Sequence, residues 1–486
     1  MYIEKVTKNV FSLSLGQLAS NLLNMVAMVV AIRFLGKESF GTFSYLLAVV
    51  GILSKFVDFG IEPIVFREFS KEKENYKLFN SALTLRLTIY LILAFAFNIA
   101  APLLGYSGRE ILLSNILFTT IVLSAKMVNF RELLSTPFKV NLKMHYPMTL
   151  AVLDNLVLLL MVAFIPFMKD EVLFFVIAYA VSNIPGFILS FYYLRKKYDH
   201  KFSFTLDRGM WLLKESLPLF GFVILTAVFM QIDIVILNYF KGPSDVGIYS
   251  SGVRLTAPLS IIPGAIVTTV FPILMKRMSD QVSSDSLSNL VIKLLYFISF
   301  VIAAVFTFES AAIVKLIFGP EYSAASLPAS ILYWCQIFIF FTFYTLAVLI
   351  AKNHQFYNFL FGAIQVIVNL GLNFLLIPQY SFLGASLAKL IASFASFVFI
   401  LIVISKLGYR PSIGRYKVII WSFVICGVLY LLSLLPLLAY LILSPVFIFI
   451  VTLALKLFGE DELLIFFRLI NREELGRNLI KKYRLA

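Results

Sequence analysis

The sequence predicts an all-α, polytopic membrane protein of about 14 transmembrane helices, and three observations carry that prediction. The 486 residues are 60% hydrophobic and 14% charged, with a mean hydropathy of +0.93. A soluble domain would have an apolar share nearer half and a charged share nearer a quarter. Uncharged apolar runs of about 20 residues, the length at which a helix crosses a roughly 30 Å hydrocarbon layer, recur along the chain. These runs are continuous, unlike the alternating ten-residue segments of a membrane β-barrel.

The first run, residues 10–32, is too long for a signal-peptide core and lacks a small-residue cleavage site, so it reads as a retained span. Further runs at about 42–66, 78–101, 111–130, 146–168 and 172–194 complete an N-terminal six-helix lobe, residues 1–194. A basic cytoplasmic linker occupies 195–215. Runs at about 216–240, 246–275, 288–318, 326–351, 355–378 and 382–405 make a C-terminal six-helix lobe, 216–406. The uncharged stretch 418–455 carries Pro436 near its centre and reads as a hairpin, which gives helices 13 and 14 within 407–457. In the tail, 458–486, Phe466, Phe467, Leu469, Ile470, Leu475 and Leu479 are spaced among Arg and Lys, as in an amphipathic helix on a membrane surface.

One phrase occurs twice. Phe34-Leu-Gly-Lys-Glu-Ser-Phe-Gly-Thr-Phe-Ser44 returns as Phe240-Lys-Gly-Pro-Ser-Asp-Val-Gly-Ile-Tyr-Ser250, with Gly36 matching Gly242 and Gly41 matching Gly247. Each copy ends one apolar run and begins the next, so the glycines serve tight turns of helical hairpins. Because a six-span unit is even, the second copy enters the membrane in the orientation of the first, a parallel pseudo-repeat.

The net charge of +15 is unevenly placed. Of the 41 Lys and Arg, 29 fall on the side that holds both termini, six on the other side and six inside the spans. That asymmetry predicts cytoplasmic termini, and it accounts for the basic excess as an inner-face collar with no nucleic-acid partner. Two cysteines in separate spans and three histidines beside polar connections form no disulfide framework or metal spacing. There is no nucleophile–base set or phosphate-binding glycine loop, so the sequence points away from an enzyme and from a bound cofactor.

The six in-span bases are Lys55, Arg86, Lys126, Arg254, Lys293 and Lys389, and Arg33 stands at the outer mouth. A charge near the bilayer centre costs at least roughly 2.5–3.5 kcal/mol, so each needs a partner or a wet cavity. Lys126 and Lys293 lie near the inner boundary, within snorkelling reach. Lys55, Asp58 and Glu62, spaced i, i+3 and i+7, share one face of the second helix and are candidates to neutralise one another, and Asp233 and Arg254 are a second candidate pair. Arg86 has no acid within a helical turn.

Fourteen spans in a six plus six plus two layout, with Gly36-x-x-x-x-Gly41-x-Phe43-Ser44 after the first, resemble the polysaccharide or oligosaccharide flippases (Wzx type) of the MOP exporter superfamily. Further phrases of that resemblance are Gly16-Gln17, Asp58-Phe59-Gly60, Arg86 and Phe318-Gly319-Pro320-Glu321-Tyr322. The resemblance implies two lobes, alternating access, and a polyprenyl-pyrophosphate-linked glycan carried from the cytoplasmic to the outer leaflet of the cell membrane. On that basis Arg86, Arg254, Lys55, Lys389 and Arg33 are expected to form a cationic cavity for the pyrophosphate. Asp154, Asp233 and Asp58 are the candidates for coupling to H+ or Na+. A MATE-like ion-coupled drug antiporter and a lipid II flippase are the alternatives.

Overall fold

The computed structural model describes residues 2–478 other than 73–74, 128, 199–201, 280–284, 353, 355, 409–414, 470–473 and 475–476. The described residues form helices and no strands. Ten helices are long and apolar enough to cross a membrane, and the shorter Tyr416–Leu432 segment is also apolar. This is a multi-pass membrane fold.

The first helix, α1 (Tyr2–Asp58), has 57 residues, far beyond the 20 or so that one crossing needs. Gly36, at φ 69° and ψ 171°, folds it into the expected first hairpin. Only glycine adopts that backbone without strain. The chain continues as α2 (Ile61–Lys71), α3 (Tyr76–Leu103), α4 (Gly108–Leu123), the short α5 (Phe130–Leu134) and α6 (Thr136–Val140), and α7 (His145–Val162). Next come α8 (Glu171–Val181), α9 (Ile184–Tyr198), α10 (Gly209–Lys241) and α11 (Pro243–Thr256). Gly242, at φ 84°, joins α10 to α11 in the same way that Gly36 folds α1, so the repeated phrase has the same backbone role twice.

The remaining helices are α12 (Ile261–Ser279), α13 (Asp285–Phe308), α14 (Ser310–Phe318), α15 (Ser326–Ala351), α16 (Phe356–Lys406), α17 (Arg415–Leu432), α18 (Leu437–Ala454) and α19 (Glu460–Leu469). Helix α16 is a second double-length helix, bent at Ser381. Pro436 caps α18, which makes the turn of the predicted terminal hairpin. In the tail, α19 contains Phe466, Phe467 and Leu469, whereas Ile470, Leu475 and Leu479 lie outside the described residues.

Several predicted spans are interrupted. The run 42–66 stops at Asp58, where Phe59 and Gly60 turn the chain through positive φ before α2. The run 111–130 breaks after Leu123 and resumes at Phe130. A 3-10 turn, Ala257–Ser260, divides 246–275, and Glu309 separates α13 from α14.

By packing, the chain forms two compact units, Met1–Ser250 with Asn373–Phe382, and Ser251–Leu372 with Leu383–Ala486. The first unit extends past the 195–215 connection because that connection is tied down. Asn80 donates to Ser203 at 2.9 Å, and the Thr205 amide donates to Thr84 at 3.2 Å. Its two glycine hairpins also meet: a Cβ on Gly41 would overlap the carbonyl of Pro243, and one on Gly247 would overlap the carbonyl of Lys37. Lys37 and Pro243 hold the same place in the repeated phrase, so the contact is reciprocal.

The second unit contains a core cluster that mixes aromatic and aliphatic side chains, among them Phe300, Trp421, Tyr440, Ile425 and Leu429. Trp421, fully buried, donates to Thr452 at 3.0 Å, and Tyr440 donates to the Val305 carbonyl at 2.8 Å. Lys293 meets both carboxylate oxygens of Glu462 at 2.7 Å and donates to the Leu457 carbonyl at 3.3 Å, which docks α19 on α13. The in-span lysine predicted to snorkel is instead satisfied by the tail.

Candidate functional site

The first unit contains a cavity of about 540 Å3. Its walls come from α1, through Gln17, Ser20 and Asn21, and from α7, through Ala151, Asp154 and Asn155. Two helix breaks complete it. The first is the non-helical stretch after α4, which contributes Ala125 and Lys126, followed by Arg131 on α5. The second lies between α8 and α9 and contributes Asn183. Pro185 follows two residues later, and a proline ring disrupts the backbone bonds of the preceding turn. Irregular backbone at membrane depth is tolerated only where protein covers it or a cavity hydrates it, and broken helices are where transporters build their sites.

The charges around this cavity are matched in pairs. Arg131, 3% exposed, forms an ion pair with Asp154, 1% exposed. The other Asp154 oxygen accepts the Gly186 amide at 3.1 Å. A Cβ at Gly186 would overlap both partners, so this position closes on the pair only as glycine. Lys139 bridges Glu62 at 2.7 Å and also pairs with Glu132. The Lys126 ammonium stands 4.9 Å from the centre of the Tyr179 ring, a cation–π contact.

A second ionic cluster lies alongside. Arg86 is 0% exposed, pairs with Asp58 and donates to the Asn129 carbonyl at 2.7 Å. Asn129 in turn donates to the Ser54 carbonyl at 2.9 Å, in the last turn of α1. The cluster therefore ties α1, α3 and the α4–α5 break together. In this structure Arg86 is fully enclosed, with Asp58 as its counter-ion, and it does not line the cavity. The cluster also corrects the shared face of Lys55, Asp58 and Glu62. The turn at Phe59–Gly60 separates Glu62 from Lys55 and Asp58; Asp58 pairs with Arg86 and Glu62 with Lys139.

The other expected residues are dispersed. Lys55 is half-buried one turn before Asp58, and Arg33 is exposed near the Gly36 turn. Asp233, fully buried, accepts the Tyr249 hydroxyl at 2.7 Å and the Asn373 amide at 2.9 Å. Arg254, half-buried on α11, and Lys389, 7% exposed on α16, belong to the second unit. Of the expected site residues, only Asp154 lines the first unit's cavity. Arg131, Asn155, Asn183 and Gly186 were not singled out from the sequence. Their one available signal was Asn183-Ile-Pro-Gly186, a breaker phrase inside an apolar run.

The second unit has a cavity of about 610 Å3 of opposite character, lined by Phe297, Val301, Tyr333, Leu441, Pro445 and Phe449 among others.

Residues 6–278, more than half of the chain, match the polysaccharide biosynthesis protein family. The chain belongs to that family. Among its curated relatives is the capsular polysaccharide biosynthesis protein CapF of Staphylococcus aureus, 21% identical over 403 residues, which span 81% of this chain and 98% of CapF. Among solved structures, the lipid II flippase MurJ in an inward closed conformation has a TM-score of 0.74 at 16% identity, over 95% of this chain and 99% of MurJ. An inward-facing multidrug resistance MATE transporter of the MOP superfamily has a TM-score of 0.56 at 14% identity, over 80% and 95% of the two chains. At these identities the structural likeness establishes the fold of this family member.

Proposed function

We propose that the protein is a flippase that moves a polyprenyl-pyrophosphate-linked oligosaccharide from the cytoplasmic to the outer leaflet of the cell membrane by alternating access. The observation that carries this reading is the polar cavity built at two helix breaks in a member of the polysaccharide biosynthesis family. Buried polar groups in a membrane bundle cost stability unless they serve packing or a polar passenger, and a lipid-linked glycan is such a passenger. The basic collar supports cytoplasmic termini. The chain then acts as a carrier and not as an enzyme.

In this scheme Lys55, Arg254, Lys389 and Arg33 meet the pyrophosphate, and Arg86 holds the helix that carries Lys55. Asp233, oriented by the neutral Tyr249 and Asn373, is the candidate for exchanging H+ or Na+. Reconstitution into liposomes tests the scheme: a lipid-linked glycan should cross, and an Arg254→Ala, Lys389→Ala double variant should slow the crossing while still inserting. Lipid II is the second reading, favoured by the MurJ-like fold over nearly the whole chain, and it is assayed in the same vesicles. Transport of cationic dyes alone would move the protein to drug export.

A further inference from the structure

We propose that the cavity of the first unit is a sugar-binding subsite, which takes a mono- or disaccharide-sized part of the passenger's glycan; this rests on the flippase reading above. Three observations converge. The first is size: about 540 Å3 lies within the roughly 300–1,000 Å3 range of small-molecule sites.

The second is charge. Two of the three cations on the wall are held by carboxylates, Arg131 by Asp154 and Lys139 by Glu62 and Glu132. The third, Lys126, faces the Tyr179 ring. A pyrophosphate would have to displace carboxylates at Arg131 and Lys139 and would be left with Lys126 alone, whereas a neutral ligand leaves the pairs intact. A cation fits no better, because Arg131 and Lys126 share the wall with Asp154.

The third is the orientation of two buried amides. Asn183 donates its NH2 to the Tyr179 carbonyl at 2.6 Å, and Asn155 donates its NH2 to the Ala151 carbonyl at 3.0 Å and to Ser20 at 2.7 Å. Turning either amide over would set oxygen against a carbonyl, so both orientations are fixed. Their Oδ1 atoms are left as buried acceptors with no donor among the described residues. The side chains are 0% and 3% exposed. A buried acceptor without a donor is unfavourable. The groups that fit are O–H or N–H donors, and exposed Gln17, with Asn21 on the same wall, adds amides able to bond hydroxyls from the opposite side. The amides, the Ser20 hydroxyl and the Phe66 ring make the uncharged part of this lining suited to sugar.

The test measures binding to the full-length protein in nanodiscs. The probes are bare polyprenyl pyrophosphate and the same lipid bearing neutral-hexose, N-acetylhexosamine or uronic-acid mono- and disaccharides. At least one glycosylated lipid should bind about 10-fold tighter than the bare lipid, which corresponds to one or two well-made hydrogen bonds. Asn183→Leu and Gln17→Leu should each cut that preference by about 5- to 10-fold while leaving affinity for the bare lipid unchanged. Gln17 is exposed, so its variant keeps the test alive if the Asn183 variant does not fold. A glycosylated lipid bound no better than the bare one, or a preference surviving both substitutions, overturns the subsite and leaves the flippase reading standing. If neither kind of lipid binds, both fall.

Discussion

The two compact units use apolar sequence in opposite ways. The first encloses polar chemistry: two buried ion pairs whose arginines are at most 3% exposed, glycine fitted against one of them, and a cavity lined largely by polar residues at helix breaks. The second packs Trp421, Tyr440 and Phe300 into an aromatic core and encloses an apolar cavity of similar size. Overall hydrophobicity does not separate them, since both are built from runs that read as spans. The difference comes from a few positions where a polar residue coincides with a backbone break, which supplies both the volume and the unsatisfied groups that hydrophilic chemistry needs.

The sharpest way to break the comparison is to remove one charge from the polar unit. Arg131→Ala leaves Asp154 buried without its guanidinium and should cost about 3–5 kcal/mol. The expected readout is a large fall in melting temperature by fluorescence-detected size exclusion, with Arg131→Met, Asp154→Leu recovering most of it. If the single variant melts like wild type, ion pairing is not what holds this unit.

The aromatic unit offers the counterpart. Lys293→Met removes a charge-assisted contact and should cost about 1.5–3 kcal/mol, concentrated in the docking of α19. Trypsin should then cleave the tail several-fold faster while the remaining helices stay resistant. Unchanged cleavage would show that α19 docks through apolar contacts, with Phe458 on Phe297 just ahead of it.

Smaller effects sharpen the contrast further. Trp421→Phe keeps the ring packing but loses the bond to Thr452, an expected loss of about 0.5–1.5 kcal/mol. At the surface, Arg67 pairs with Glu68 and Glu215 with 46% of its side chain exposed. Arg67→Ala should therefore change the melting temperature least of these variants. A larger drop for Arg67→Ala than for Trp421→Phe would reverse the ranking of buried over exposed polar contacts.

Much of the architecture was legible in the residues, and the reason is local. Apolar run length gives the spans, Gly36 and Gly242 give the hairpin turns, and Pro436 gives the last turn, each readable within about ten positions. The site was less legible because its pairings cross helices. Arg86 has no acid within a turn, yet its partner Asp58 lies 28 residues away on α1. Arg131 counts as an ordinary loop base in the charge asymmetry, yet Asp154 draws it to 3% exposure. The break at residues 124–129 carries no Pro or Gly, so the hydropathy of the run conceals it.

The reciprocal contact between the two glycine hairpins has an evolutionary consequence. Each copy of the repeated phrase is the steric environment of the other: Gly41 is read by the backbone at Pro243, and Gly247 by the backbone at Lys37. After a duplication, most of two halves can drift apart independently, but these positions cannot. A side chain gained at Gly41 can be accommodated only by a retreat of the hairpin some two hundred residues downstream. At Gly41 and Gly247, each copy of the phrase sets the space available to the other.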